Sequence, residues 1–169
     1  MKLYTALLAI LPLVSAQICD EGSQLVCYGK PGGESQNINL DDLEYAAWEF
    51  RRLSEDGPAF WTMPANITKR GCDEWMMFEI GTVLALAKHT NNRITSSVSF
   101  DDIADTIDGG PEATPEQREK AIMGCGENGG QLLVQVKPDN PAYQTEKYKA
   151  TGGTPKDILI KIVRAPGSL

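Results

Sequence analysis

Four cysteines downstream of an apolar leader constrain this chain more than any other feature. Met1 to Ala16 reads MKLYTALLAILPLVSA, with Lys2 as a short positive region and Leu3 to Val14 as an apolar one. Pro12 interrupts any helix, and Val14-Ser15-Ala16 satisfies the small-residue rule for cleavage. The stretch therefore predicts a signal peptide over 1–16 and a mature chain starting at Gln17. About 20 apolar residues are needed to span a bilayer, and neither this run nor any later one is long and uncharged enough. The expectation is a secreted protein with no membrane segment once the leader is gone. In the oxidising compartment that this implies, Cys19, Cys27, Cys72 and Cys125 predict two disulfides. Three pairings are possible, and spacing does not choose among them. There is no Cys-x-x-Cys pair, and the single histidine, His89, is not spaced with a cysteine as a zinc ligand. No metal and no cofactor are expected.

Without the leader the chain keeps 153 of its 169 residues, an ordinary size for one domain over 17–169. The formal net charge is −7, and loss of Lys2 makes it more negative. Binding to phosphates relies on lysine and arginine, so nucleic acid is excluded as a partner, and so is an anionic membrane surface. An extracellular protein or a carbohydrate is left as the partner class, with a monomer as the expected state.

The longest apolar run after the leader is Cys72 to Thr90, CDEWMMFEIGTVLALAKHT. One core helix or two strands around a turn would account for it. Gly81 near the middle and β-branched Thr82 and Val83 after it favour a hairpin. Gln24 to Gly29 reads as a first strand. Leu40 to Asp56 reads as a helix capped by Asn39, with Leu40, Leu43, Ala46, Ala47, Phe50 and Leu53 along one face. Residues 59–68 read as an edge strand or ordered loop. Arg93 to Val98 reads as a strand, and Ser99 caps a helix with the stripe Phe100, Ile103, Ala104 and Ile107. Thr114-Pro115-Glu116-Gln117 opens another helix, expected to reach Met123. Gln131 to Lys137 and Asp157 to Arg164 alternate as strands, and 138–154 reads as a long surface loop. The order predicts an α+β fold: an antiparallel sheet with helices packed on one face, stabilised by two disulfides.

No catalytic constellation emerges. A nucleophile–base pair would have to join His89 to Ser96, Ser97 or Ser99 through the fold, and no Gly-x-Ser-x-Gly elbow exists. Glu74 and Glu79 are the acids of the most apolar stretch, but a spacing of five on a regular strand puts them on opposite faces, against a shared cleft. Asp101, Asp102, Asp105, Asp108 and Glu112 do not fit a calcium loop and read as helix-start charges on a solvated face. Tyr45, Trp48 and Arg52 fall on the far side of the first helix, where Trp48 and Arg52 are spaced to stack. Coverage of these aromatics by a loop is the expectation; an exposed recognition patch that also includes Trp61 is the alternative. Asn66-Ile67-Thr68 is the one glycosylation sequon, followed by the dibasic Lys69-Arg70, read as two solvated charges unless it is processed.

The helix ending at Gly124-Cys125-Gly126, followed by Gly130-Gln131-Leu132-Leu133-Val134, resembles the helix-to-strand junction of fungal killer-toxin-like α/β sandwich proteins. The leader, size and cysteines likewise resemble small secreted, disulfide-containing effector-like proteins of filamentous fungi. The resemblance covers about a dozen residues and carries no functional residue with it. It implies a secreted interaction protein, effector- or toxin-like, without catalytic activity. A small secreted hydrolase, or a carbohydrate-binding module using Trp48, Trp61 or Trp75, is the alternative.

Overall fold

A computed structural model describes Cys19 and residues 21–168; the expected signal peptide and Gln17 lie outside the described residues. In chain order the strands are β1 (Val26–Cys27), β2 (Phe60–Met63), β3 (Trp75–Ile80), β4 (Val83–His89), β5 (Ser96–Ser99), β6 (Gly130–Leu133) and β7 (Ile158–Arg164). The helices are α1 (Leu40–Arg52), α2 (Phe100–Asp108), α3 (Pro115–Lys120) and α4 (Glu146–Lys149). Five strands form one sheet in the order β1-β6-β7-β4-β3, and every neighbouring pair is antiparallel. The strands β2 and β5 form a separate antiparallel pair. This is the expected α+β fold with an antiparallel sheet and two disulfides.

The Cys72–Thr90 stretch is the expected hairpin. Gly81 makes its turn at φ 52°, a left-handed conformation open to glycine at little cost. The strand β4 alternates, with Val83, Ala85, Ala87 and His89 buried and the residues between them partly exposed. Its buried face continues onto β7, where Ala85 sits opposite Ile162 and Ala87 opposite Ile160. Two alanines there leave room for a helix to come close, and α1 answers with Ala46 and Ala47, both fully buried. Leu43 and Phe50 flank them, and Phe50 meets Phe78 and Phe100 at ring-centroid distances of 6.0 and 5.7 Å. Asn39 caps α1, Ser99 caps α2, and Thr114 with Gln117 forms a capping box on α3, as the sequence predicts.

The structure departs from the sequence reading where capping side chains or edges intervene. The region 138–154 is not a plain loop. Asn140 caps a 3-10 turn over Pro141–Gln144 and Thr145 caps α4, and Tyr143 and Tyr148 are buried against Phe60. The helix opened by Thr114 stops at Lys120, because Ala121 turns extended before a 3-10 segment, Ile122–Asn128. The alternation at 131–137 overstates its strand: β6 ends at Leu133, after which Gln135 N–H donates to Thr106 Oγ1.

The disulfides are Cys19–Cys72 and Cys27–Cys125, with Cα separations of 5.5 and 5.1 Å. Cys72 lies just before β3 and Cys27 is in β1, at opposite edges of the five-stranded sheet. The segment between Cys19 and Cys27 is therefore a strap across the face that α1 and α2 leave open, covalently fixed at both ends.

Candidate binding site

The strap is held two residues from its Cys19 end by Glu21. One oxygen, Oε1, accepts from Lys88 Nζ at 2.7 Å and from Lys161 Nζ at 3.0 Å. The other accepts from Gln131 Nε2 at 2.9 Å. Tyr28 Oη donates to Gln131 Oε1 at 3.0 Å, and Lys161 also pairs with Glu74 at 2.8 Å. Burial alone would push the Glu21 carboxyl up, but the bonds from Lys88, Gln131 and Lys161 outweigh it and hold the pKa at about 2. Burial also works against the Lys161 ammonium, yet Glu74 and Glu21 outweigh it and raise its pKa. Tyr28 is pushed up to about 12, chiefly by burial.

A group whose pKa is depressed on folding stabilises the fold above its unfolded value, here near 4.5, and that contribution is lost as pH falls toward 2. Glu21→Gln should therefore cost about 2 kcal/mol at pH 7, less than full linkage because solvent reaches the cluster. The difference from wild type should close as pH drops from about 4.5 to about 2. Denaturant titrations at pH 7 and pH 3 test this; a pH-independent difference would contradict it.

Beside the strap lies a cleft of about 660 Å3, lined by Leu25, Val26, Tyr28, the turn from Lys30 to Glu34, Gln36, Glu74, Gln131, Lys161 and Val163. Glu74 lies two residues before Met76 and so shares its face, and a bulge beyond Met76 brings Glu79 round as well. Met76 pairs with Leu86 and Glu79 with Leu84, with the register shifting between Met76 and Phe78. Leu84 and Leu86 share a face, so the inserted residue brings Glu79 to the same face as Met76 and Glu74. The expectation that five-residue spacing puts these acids on opposite faces is thereby corrected, although Glu79 does not line the cleft.

The recognition-patch residues divide. Tyr45 and Trp48 are 45% and 49% exposed on the outer side of α1, with ring centroids 5.2 Å apart. No loop covers them among the described residues. Arg52 is beside them, but its guanidinium is turned onto Glu49 at 2.6 Å instead of stacking on Trp48. Trp61 packs against the core and is not part of the exposed pair.

His89 is 1% exposed, and its Nε2 lies 3.1 Å from the Met63 carbonyl; burial lowers its pKa. The hydroxyls of Ser97 and Ser99 are engaged by Thr62 and by the Asp102 N–H, and the buried Ser96 hydroxyl makes no hydrogen bond among the described residues, so none of the three serines bonds His89. The acids of α2 are not a solvated face. Asp105 and Asp108 bind Arg51 at 2.7 and 2.6 Å, and Asp102, 1% exposed, accepts from Tyr143 Oη. The periodicity places these acids on α2, but only the tertiary fold supplies Arg51 and Tyr143 as partners. Among the described residues no group of three or more metal-ligating side chains forms. No helix among them is long and apolar enough to cross a membrane. Lys69 and Arg70 are exposed, but the following Gly71 is buried in a 3-10 turn, where an added Cβ would lie 1.8 Å from the Asn66 carbonyl oxygen.

No protein-family model, curated protein or solved structure matches the chain. The class defined by the fold is a small α+β protein with two disulfides. It carries a strapped, partly charged sheet face on one side and an exposed aromatic pair on the other.

Proposed function

We propose that this is a secreted, N-glycosylated interaction protein of the effector or toxin-like kind, acting on an extracellular target by binding and not by catalysis. The observation that carries this reading is the Tyr45–Trp48 pair, held half-exposed on α1. Large aromatic rings presented on a rigid element are the residues that dominate protein recognition sites, because they bury much area at small entropic cost. The helix that presents them is fixed by its Asn39 cap, its buried alanine face and the Arg51 ion pairs. Two disulfides and the leader support action outside the cell. Incubating the purified protein with polysaccharides and analysing the supernatant should yield no cleavage products. Released oligosaccharides would establish a hydrolase instead.

The sequon belongs to this reading. Asn66 Oδ1 accepts from the Thr68 N–H and hydroxyl at 3.1 and 2.6 Å, and the intervening Ile67 is 84% exposed. Protein secreted from a eukaryotic host should lose mass on enzymatic removal of N-glycans, and Asn66→Gln should abolish that loss. An unchanged mass would show that Asn66 is unmodified.

A further inference from the structure

The cleft beside the strap is built differently from the α1 surface, and the argument for it does not depend on Tyr45 and Trp48. Its charged lining residues are Lys30 and Lys161 against Glu34 and Glu74, so it offers no net charge to attract an ion. Lys161 already pairs with two carboxylates, at 3.0 and 2.8 Å, so an anion entering the cleft would meet Glu74 and Glu34. A purely apolar ligand would desolvate the Lys161–Glu74 pair without replacing its hydrogen bonds, which is costly. Leu25, Val26 and Val163 supply an apolar wall, and Tyr28 adds an aromatic ring. The polar groups are pre-ordered by one another: Tyr28 on Gln131, Gln131 on Glu21, Glu21 on Lys161, Lys161 on Glu74. A ligand would therefore spend little on ordering them. The volume is within the ~300–1,000 Å3 usual for small-molecule sites.

We infer that this cleft is a binding site for a neutral saccharide, whose C–H faces lie on Tyr28 and the apolar wall while its hydroxyls bond Glu74, Gln131 and Lys161. A neutral molecule with both hydroxyl edges and apolar faces matches a charge-balanced cleft with one polar and one apolar side. Glu74 is the rim residue best placed to meet such a ligand, since its side chain is 41% exposed and, among the described residues, its one ion pair is to Lys161.

The test is an NMR titration of the full secreted protein with cellohexaose, laminarihexaose and chitohexaose. A hexagalacturonate and a neutral glycine–serine hexapeptide are titrated in parallel. At least one neutral saccharide should shift the amides of Tyr28, Glu74, Gln131 and Lys161, leaving those of Tyr45 and Trp48 in place. Glu74→Ala, a rim change that the fold should tolerate, should weaken that saccharide about tenfold, which is about 1.4 kcal/mol. Tyr28→Phe should weaken it less, because the ring remains. The inference is overturned if no neutral saccharide shifts these amides up to about 10 mM, or if the galacturonate or the peptide binds the cleft more tightly. Equal binding by the Glu74→Ala protein would overturn it as well. The inference and the proposed function fail separately: cleavage of polysaccharide bears on the latter, an unresponsive cleft on the former.

Discussion

Replacing Cys27 and Cys125 together by serine should destabilise the protein by about 4–5 kcal/mol. The bond joins positions 98 residues apart, so in the chain-entropy description it removes close to the greatest freedom that a single cross-link can take from an unfolded domain of this size. Both half-cystines are buried, at 9% and 4% exposure, so serine also leaves hydroxyls in place of sulfur. The bond has a local task too. It joins the two-residue strand β1 to the segment leading into β6, and β1 has only two paired positions, Val26 with Gln131 and Cys27 with Gly130. A pairing that short does not hold by itself. The melting temperature should fall by about 10–15 °C, and amides from Cys27 to Gly33 should exchange faster than the rest of the sheet. The Cys19–Cys72 bond, closing a shorter span of 53 residues, should cost about 4 kcal/mol when removed alone. Loss of both is comparable to the whole stability of a typical domain, about 5–15 kcal/mol. A fall of less than about 3 °C in the Cys27/Cys125 variant, about 1 kcal/mol, would contradict this account.

Arg51→Met should cost about 3 kcal/mol. Arg51 forks onto Asp108 through Nη1 at 2.7 Å and Nη2 at 2.6 Å, and Nη2 also reaches Asp105 at 2.7 Å. The carboxylates are 12% and 9% exposed and the arginine 24%. Methionine keeps the apolar stem but leaves Asp108 without its cation, and Asp105 only with the more exposed Lys137. Because Asp108 Oδ1 also accepts from the Gly110 N–H, the end of α2 should loosen along with its packing on α1. Arg51→Lys should recover less than half of the loss, since an ammonium cannot match the fork. Chemical denaturation of the three proteins measures this; a cost of Arg51→Met below about 0.5 kcal/mol, the ordinary surface value, would contradict it.

Much of the framework is legible in local sequence. The hairpin turn at Gly81 and the caps at Asn39, Ser99 and Thr114 depend on neighbours along the chain, and all are present; in β7 Ile158, Ile160 and Ile162 are buried as expected, but Leu159 between them is buried too. What local reading misses depends on partners distant in sequence. Asp105 and Asp108 look like solvated charges until α1 brings Arg51 against α2. Glu74 looks separated from Glu79 until the bulge after Met76 changes the parity of β3. Tyr143 and Tyr148 look like loop residues until their rings meet Phe60. The cleft is illegible for the same reason, since Tyr28, Glu74, Gln131 and Lys161 come from four separate stretches of the chain. Helical spacing puts Tyr45 and Trp48 opposite the alanine face, but their exposure in place of the expected loop cover emerges only in the fold, as does the placement of Trp61 against the core, which depends on β2 pairing with β5.

The most direct test of the binding role is a titration of fluorescently labelled secreted protein onto intact plant and fungal cells, compared with a Tyr45→Ala/Trp48→Ala double variant. Both residues are about half exposed, so the variant should keep its melting temperature within about 2 °C. The account predicts saturable binding of the wild-type protein to at least one cell type and at least tenfold weaker binding of the variant, about 1.4 kcal/mol, as loss of a central aromatic pair implies. Equal binding by the two proteins, or no saturable binding to any of the cells, would contradict it.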